Sequence, residues 1–139
     1  MENVRVSKIE KELAYNIQVI WDVVTNNDDY IWRSDVKKIE KISNNKFVEY
    51  GKNYQIEFEI ITFNEPVLYE FKMKSNIYTG VWRGEFIEIS SERTKMVFTE
   101  KINFNNIFLK LLSYLMLNLE KLQEKYFEDL KNKLIEFQI

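Results

Sequence analysis

Residues 53–75 alternate between apolar and polar side chains along almost their whole length. Successive side chains of a strand point to opposite faces, so this alternation predicts extended chain. The polar face begins with Gln55, Glu57 and Glu59. The pattern pauses at Pro66, the one proline in the chain, and then resumes, which predicts two antiparallel strands turned there. The apolar positions of this hairpin are Tyr54, Ile56, Phe58, Ile60, Tyr69, Phe71 and Met73.

Further strands are indicated on both sides of this hairpin. Near the N-terminus, "NVRVSKIEKEL" is rich in β-branched residues. The segments "VKKIEKIS" and "KFVEY" are joined at Asn44-Asn45, and "GVWRGEFIEIS" is joined to "TKMVFTEKINF" across "SSER". Sequential hairpins imply an antiparallel meander with one polar, solvent-exposed face and one apolar face.

Helical spacing of apolar residues marks two other regions. Asn16 can cap a helix through "IQVIWDVVTN", and "DDYIWRS" beyond it is a second short helix or a turn anchored by Tyr30 and Trp32. A long helix is predicted from about Asn106 to Glu136, because no glycine or proline interrupts it. Its dominant apolar stripe consists of Phe108, Leu112, Leu115, Leu119, Leu122, Tyr126 and Leu130.

This order of elements predicts a single α+β domain over residues 1–139. The apolar face of the sheet needs a cover, and the C-terminal helix is the one element long enough to provide it. A curved antiparallel sheet wrapped around that helix buries the apolar face of the sheet and the apolar stripe of the helix together. The aromatic face then lines either a solid core or a ligand cavity, since cavities are also lined by aromatic side chains.

Glu100 places a carboxylate on the apolar face of "TKMVFTEKINF". An unpaired buried charge is costly, so this side chain needs tyrosine hydroxyls, the Trp82 indole, Arg33 or water. Burial would raise its pKa and let it transfer protons. The alternatives are a solvated side chain at a cavity mouth and a structural partner for one other residue. The neighbours on the same face are Met96, Phe98, Ile102 and Phe104.

The strand before Glu100 can pair with it in two registers. In one, Trp82 and Phe86 face inward and Arg83 and Glu85 face outward. In the other, Arg83 lies directly across from Glu100. We favour the first register, because it gives both strands the cleaner polar face; the second would pair Glu100 with a cation.

Composition excludes much chemistry. The 139 residues include no Cys and no His, which rules out disulfides, thiolate nucleophiles, Cys/His zinc sites and Ser-His-Asp triads. The formal net charge is −2 with scattered Lys and Arg, which disfavours nucleic acid as a partner. "NNDDY" lacks the spacing, glycine and terminal Glu of a calcium loop, so no metal site and no cofactor are predicted.

The chain shows no export signal and no membrane span. "MENVRVSKIEKEL" has no apolar core of signal-peptide length. The most apolar stretch, Ile107 to Leu119, is shorter than the roughly 20 residues that cross a bilayer. We therefore expect a cytoplasmic protein. Tyr114 and Leu117 point away from the helix stripe and need a cover, which is the domain's own short helices and loops, a second chain or a membrane surface. If a partner covers them, we expect a homodimer rather than a membrane, because basic residues are not concentrated beside the patch.

The segment "IQVIWDVVTNNDDYIWRSDVKKIEKI" resembles the opening of the START/Bet v 1-like (SRPBCC) superfamily, in its polyketide cyclase/dehydrase-like branch. The matching residues are Ile20-Trp21-Asp22, Asp28-Asp29-Tyr30 and Trp32. "GVWRGEF" and "TKMVFTE" are also similar to that branch, so the resemblance covers essentially the whole chain. Asn16 replaces a proline that many relatives carry, and both residues suit a helix start. The resemblance implies a helix-grip fold with two short helices after the first strand and a hydrophobic cavity.

The resemblance and the aromatic face together predict binding of a small hydrophobic or aromatic molecule, including lipids. One alternative is a cyclase- or dehydratase-like enzyme in which Glu100, with Tyr54 or Tyr69, moves protons. A third is a protein-interaction module of the co-chaperone kind. The resemblance supplies no invariant catalytic set, so Glu100 is the single catalytic candidate. The predicted lining residues are Trp32, Tyr54, Ile56, Phe58, Tyr69, Phe71, Met73, Trp82, Met96, Phe98, Glu100, Leu112, Leu115 and Leu119.

Overall fold

The computed structural model of the protein describes residues 3–137. The helices and strands, in chain order, are β1 (Val4–Leu13), α1 (Ile17–Thr25), β2 (Lys38–Lys41), β3 (Lys46–Tyr50), β4 (Gln55–Asn64), β5 (Leu68–Lys74), β6 (Tyr78–Ser90), β7 (Arg93–Phe104), α2 (Ile107–Met116) and α3 (Leu119–Leu134), followed by a short 3-10 helix at Ile135–Phe137.

All the strands join one curved antiparallel sheet of seven strands, in the order β1-β7-β6-β5-β4-β3-β2. Strands β2 to β7 follow one another as hairpins, as the alternation predicts. The first strand closes the other edge by pairing along its length with β7, from Val4 opposite Asn103 to Leu13 opposite Thr94. The apolar face of this sheet is the concave side that the helices cover.

Helices α1 and α3 cover the apolar face of the sheet. The Phe127 ring of α3 stacks on Phe98 of β7 with the ring centroids 4.7 Å apart. Trp21 of α1 is fully buried and packs edge-on against Phe86 of β6, at 5.2 Å. The predicted α+β helix-grip class is confirmed.

The segment between α1 and β2 is a series of turns. Arg33 N–H donates to the Tyr30 carbonyl at 2.9 Å, and Val36 N–H donates to the Arg33 carbonyl at 3.3 Å. The Trp32 indole N–H donates to the Asp29 carbonyl at 2.9 Å, which anchors the segment from within. Of the two alternatives for "DDYIWRS", the turn is therefore the one that the structure contains.

The predicted long C-terminal helix is interrupted between α2 and α3. Leu117 is extended, with φ −123° and ψ 108°, and the Asn118 side chain caps α3 by accepting from Lys121 N–H at 3.0 Å. Arg5 donates to the freed Leu117 carbonyl at 3.1 Å. The Asn118 cap and the Arg5 side chain supply hydrogen bonds to the backbone groups at the break. The break therefore needs no glycine or proline, and the absence of these residues does not predict an unbroken helix.

The interruption shifts the buried face of α2. Ser113 points inward, whereas Phe108, Leu112 and Leu115 are 68%, 37% and 85% exposed. The prediction that these three residues grip the sheet is wrong, because the stripe was extended through the break at a constant 100° per residue. In α3 the buried residues are Leu119, Gln123, Phe127, Leu130 and Leu134. The predicted stripe residue Leu122 is 45% exposed.

The pairing of β6 with β7 follows the first of the two predicted registers. Trp82 lies opposite Glu100, and Arg83 lies opposite Thr99. Arg83 contacts Glu70 at 3.0 Å and Glu85 at 3.3 Å on the outer face. The two strands therefore keep separate polar and apolar faces, and Arg83 does not neutralise Glu100.

Candidate functional site

A row of inward-facing residues crosses the middle of the sheet, one from each of five neighbouring strands. In order from β1 to β4 they are Ser7, Glu100, Trp82, Phe71 and Ile60. All except Ser7 are partly accessible, although they lie on the covered face of the sheet. The neighbouring rows hold the buried residues Tyr69, Met73, Phe98 and Ile102. Solvent therefore reaches the inner face at this row.

Two stacked aromatic rings form the apolar part of the row. The Phe71 and Trp82 rings are nearly parallel, at 10°, with their centroids 5.0 Å apart. Gly84 makes this position of the indole possible, since a Cβ built there would lie 2.5 Å from Trp82 Cη2. This is the tight packing against a ring that explains a glycine inside a strand.

Glu100 has no hydrogen bond and no ion pair with any residue in the described range 3–137. Ser7, directly opposite on β1, is already engaged: its hydroxyl donates to Gln123 Oε1, and Gln123 Nε2 donates to the Ser7 carbonyl at 3.2 Å. Burial, with a smaller contribution from Glu49, raises the pKa of Glu100 to about 7, and Arg33 acts in the opposite direction. The carboxyl group is thus poised between its charged and neutral forms near neutral pH.

A second polar group, centred on Arg33, lies in the same interior. Arg33 Nε is 3.4 Å from Asp35 Oδ1, and its Nη1 is 3.5 Å from Glu49 Oε1. The guanidinium also lies over the Tyr126 ring of α3, 4.9 Å from its centroid. Burial opposes the charge, but Glu49, Tyr126 and Asp35 raise the pKa of Arg33 overall. One cation is therefore held between two carboxylates.

Tyrosine hydroxyls complete the polar lining. The Tyr54 hydroxyl lies 2.9 Å from Glu49 Oε2 and 3.1 Å from the Asp35 carbonyl. Burial raises the pKa of Tyr54, Tyr78 and Tyr126, so all three stay protonated near neutral pH. These groups can donate hydrogen bonds, and none of them is activated as a base.

Glu100 and the Arg33 group interact without direct contact. Arg33 and Glu49 both act on the pKa of Glu100, yet no ion pair within 4.0 Å joins Glu100 to Arg33 in the described structure. The Tyr78 pKa is raised first by burial and then by both Glu100 and Glu49. The interior therefore contains polar groups that are close enough to influence one another and are not paired with one another.

The structure brings together most of the predicted lining residues. Those on the inner side with little exposure are Phe58, Tyr69, Met73, Met96, Phe98 and Leu119. Those on the inner side that are partly accessible are Trp32, Tyr54, Ile56, Phe71, Trp82 and Glu100. Leu112 and Leu115 lie on the exposed side of α2, so the structure does not place them in this lining.

Sequence reasoning missed Glu49, and it treated Arg33 only as a partner for Glu100. Alternation in "KFVEY" puts Glu49 on the same face as Phe47, so the pattern could have identified it. Arg33 lies in the turn segment, where no periodicity predicts the direction of a side chain. Tyr78 begins β6 on the face of Trp82, and alternation could have identified it as well.

Two open concavities lie elsewhere on the molecule. One, of about 530 Å³, lies on the outer face of the sheet and includes Lys46, Glu57, Lys72 and Lys101. The other, of about 250 Å³, lies where Arg5 faces the junction of α2 and α3. Neither is lined by Glu100 or Trp82.

Within residues 3–137, no cluster of three or more acidic side chains is arranged to hold a metal ion. None of the helices in that range combines the length and the apolar character that a membrane span requires.

No family profile and no curated protein matches the sequence. Solved structures do match over almost the full chain. Norcoclaurine synthase from Thalictrum flavum superposes with a TM-score of 0.78 at 11% identity, covering 100% of this chain and 99% of that one. A START superfamily protein from Mycobacterium smegmatis gives a TM-score of 0.76 at 11% identity, covering 95% and 98%. This chain has the START/Bet v 1-like fold.

The START/Bet v 1-like fold is also that of Ara h 8.0201, with a TM-score of 0.67, 9% identity and coverage of 96% and 99%. The fold that the sequence resemblance implies is therefore confirmed. Identities this low show the shared fold, so the chemistry of this chain must be argued from its own residues.

Proposed function

We propose that the protein binds a small hydrophobic or aromatic molecule between the sheet and α3, in contact with Phe71, Trp82 and Glu100. The observation that supports this proposal is the accessible row. Inner-face side chains in the middle of central strands are normally buried, as Tyr69 and Phe98 are, at 2% exposure each. Solvent access at Phe71 and Trp82 is what a binding space beside them would produce.

The composition of the space supports the same proposal. Binding sites for small molecules are mainly apolar and contain a few convergent polar groups. Here two stacked rings lie beside an unpaired carboxylate, a buried guanidinium and three tyrosine hydroxyls. The START/Bet v 1-like fold commonly binds hydrophobic ligands. Because both open concavities lie elsewhere, the ligand must be small or must displace side chains from the row.

Native mass spectrometry of freshly purified protein tests the proposal. We expect a mass excess that disappears on denaturation, and its value gives the ligand class. Phe71→Leu should reduce the fraction of protein that carries the ligand. Phe63→Leu should leave that fraction unchanged, because Phe63 lies near the C-terminal end of β4, outside the accessible row, and is 52% exposed. Protein without bound material, together with a crystal structure in which side chains fill the space around Trp82, would remove this function.

A cyclase- or dehydratase-like activity is the second candidate, supported by the Glu100 pKa of about 7, which suits proton transfer near neutral pH. Its predicted tyrosine partners are less favourable. Tyr54 is engaged by Glu49, and the Tyr69 hydroxyl accepts from Asn27 Nδ2 at 3.3 Å. The Glu100→Gln variant separates the two candidates, because an acid–base enzyme loses turnover while it still binds its substrate, whereas a binder has no turnover to lose and changes only in affinity.

We also propose that two copies of the chain associate through the outer face of α2. The predicted contact at Tyr114 and Leu117 needs revision: Tyr114 is 57% exposed with Arg5 over its ring, but Leu117 packs against the core. The face opposite Ser113 carries Phe108, Leu111 and Leu115 at i, i+3 and i+7, the spacing of a helix–helix seam. With Leu112 and Met116 it forms an exposed apolar patch on one helix, the kind of surface that marks a protein–protein contact.

A second copy is favoured over a lipid surface because surface helices usually carry several basic residues on their polar face. Lys110 is the sole charged residue of α2, and a symmetric contact between two such faces brings no like charges together. Light scattering should report a dimer for the wild type and a monomer for Leu115→Lys. The matched variant Ile87→Lys, on the outer face of β6, should stay dimeric. Wild-type protein that is monomeric at high concentration, or that binds lipid vesicles as a monomer, would contradict the proposal.

A further inference from the structure

The unpaired Glu100 carboxylate is the feature of the interior that its own neighbours do not explain. Two nearby sets of polar groups are already engaged: Ser7 and Gln123 bond to each other, and Tyr54 bonds within the Arg33 group. A carboxylate in a partly desolvated site is less stable without a partner than with one. A bound molecule that supplies a partner would relieve this cost.

The balance of charge around the space is negative. The groups that interact electrostatically with Glu100 are Arg33 from the turn segment, Glu49 from β3 and the protonated Tyr78 from β6. Arg33 is the one cation in this set, and it is held by Asp35 and Glu49 at 3.4 and 3.5 Å. When Glu100 is ionised, the described groups carry three negative charges against one positive charge.

We infer that the molecule bound beside Trp82 carries a protonated nitrogen that pairs with the Glu100 carboxylate, on an aromatic or apolar body that packs against Phe71 and Trp82. The inference rests on the proposed function and adds the chemical class of the ligand. A charge-assisted hydrogen bond in a low-dielectric site is stronger than a neutral one. An anionic ligand would instead meet the excess of carboxylates.

Matched probes test the inference: 2-(1-naphthyl)ethylamine and 2-(1-naphthyl)ethanol share one apolar body and differ in the terminal group. Calorimetric titration at pH 8 should show the amine binding about tenfold more tightly than the alcohol, as expected for one charge-assisted hydrogen bond. The amine stays protonated at pH 6 and pH 8, while Glu100 loses its proton between these values. The preference for the amine should therefore shrink at pH 6.

Two variants with the same change of charge locate the effect. Glu100→Gln should bring the affinities of amine and alcohol within about twofold of each other. Glu59→Gln, on the outer face of β4, should keep the full preference. Circular dichroism of both variants checks that the fold is retained.

The possible failures are distinguishable. If the alcohol binds as tightly as the amine at pH 8, or if Glu100→Gln keeps the preference, the inference is overturned while the proposed binding site stands. If neither probe binds, and no co-purifying molecule is found, the proposed function falls and the inference falls with it.

Discussion

Two regions along the interior of the β6–β7 hairpin differ in what they bury. Under α1, Phe86 pairs with Met96, and both pack with Trp21 and Leu130 in a dense apolar cluster. Four residues along each strand, in the middle of the sheet, Trp82 pairs with Glu100, and the surroundings become polar and accessible. The same strands and the same face thus support a stable core in one region and a candidate binding space in the other.

The difference shows that strand alternation determines which side chains face the interior, whereas the identity of those side chains determines whether the region is a core or a candidate binding site. The apolar region gains stability because burial of hydrocarbon and aromatic surface needs no polar partners. The polar region contains charges whose desolvation must be offset by specific neighbours. The effects of mutations on the free energy of unfolding should therefore differ between the two regions in size, in sign and in their dependence on pH.

The largest expected effect is at Arg33. Arg33→Met removes the cation between Asp35 and Glu49 and leaves two carboxylates without it, so the free energy of unfolding should fall by about 4 kcal/mol. Urea denaturation at pH 7 measures this. The control Arg93→Met breaks an exposed pair with Glu12 and should change stability by less than about 1 kcal/mol. Equal effects of the two variants would mean that the Arg33 group is not a buried charge cluster.

The next effect is in the apolar cluster. Leu130→Ala should lower the free energy of unfolding by about 3 kcal/mol, because Leu130 is fully buried and its loss leaves a cavity. Leu122→Ala on the same helix, at 45% exposure, should cost well under half of that. The Leu130 effect should be the same at pH 5 and pH 8, and a strong pH dependence would show that the two regions are not separate.

Substitution of Glu100 should raise the free energy of unfolding, whereas the substitutions of Arg33 and Leu130 lower it. Its pKa in the folded protein is about 7, above the ordinary value of 4.5, so the unfolded chain gives up this proton more readily. Stability is therefore lost as pH rises from about 4.5 through 7. Glu100→Gln removes this loss and should stabilise the protein by on the order of 2 kcal/mol at pH 8, with little effect at pH 4. Denaturation curves at both pH values decide, and a destabilised variant at pH 8 would mean that Glu100 has a partner.

The smallest effect is at Tyr54. Tyr54→Phe removes one hydroxyl from Glu49 and should cost about 1 kcal/mol, the usual value for such a hydrogen bond. Tyr50→Phe is the control, since its hydroxyl has no hydrogen bond with the described residues. Identical urea midpoints for the two variants would show that the Tyr54 hydroxyl contributes nothing to the Arg33 group.

Most of the sheet could be predicted from the sequence because each strand carries its own alternation. The register of Trp82 opposite Glu100 followed from the requirement that Arg83 stay on a polar face, and the structure has this register. The cytoplasmic location also came from sequence alone, and it stays a prediction.

The C-terminal helices could be predicted only in part. α2 is apolar on nearly every side, so its sequence does not define which face is buried. The break was detectable in principle, since Asn118 followed by Glu120 is typical of a helix start. The gathering of Arg33, Glu49 and Glu100 depends on three distant segments meeting, and no local pattern encodes that.

The pairing of β1 with β7 also bears on how the chain is made. The partner of Val4 is Asn103, so the first strand leaves the ribosome long before the strand that completes its hydrogen bonds. Pairings this distant in sequence slow folding, because a large loop must close before they form. Until β7 and α3 emerge, the nascent chain exposes an aromatic sheet face and an unpaired strand, and this is the interval in which we expect chaperones to engage it.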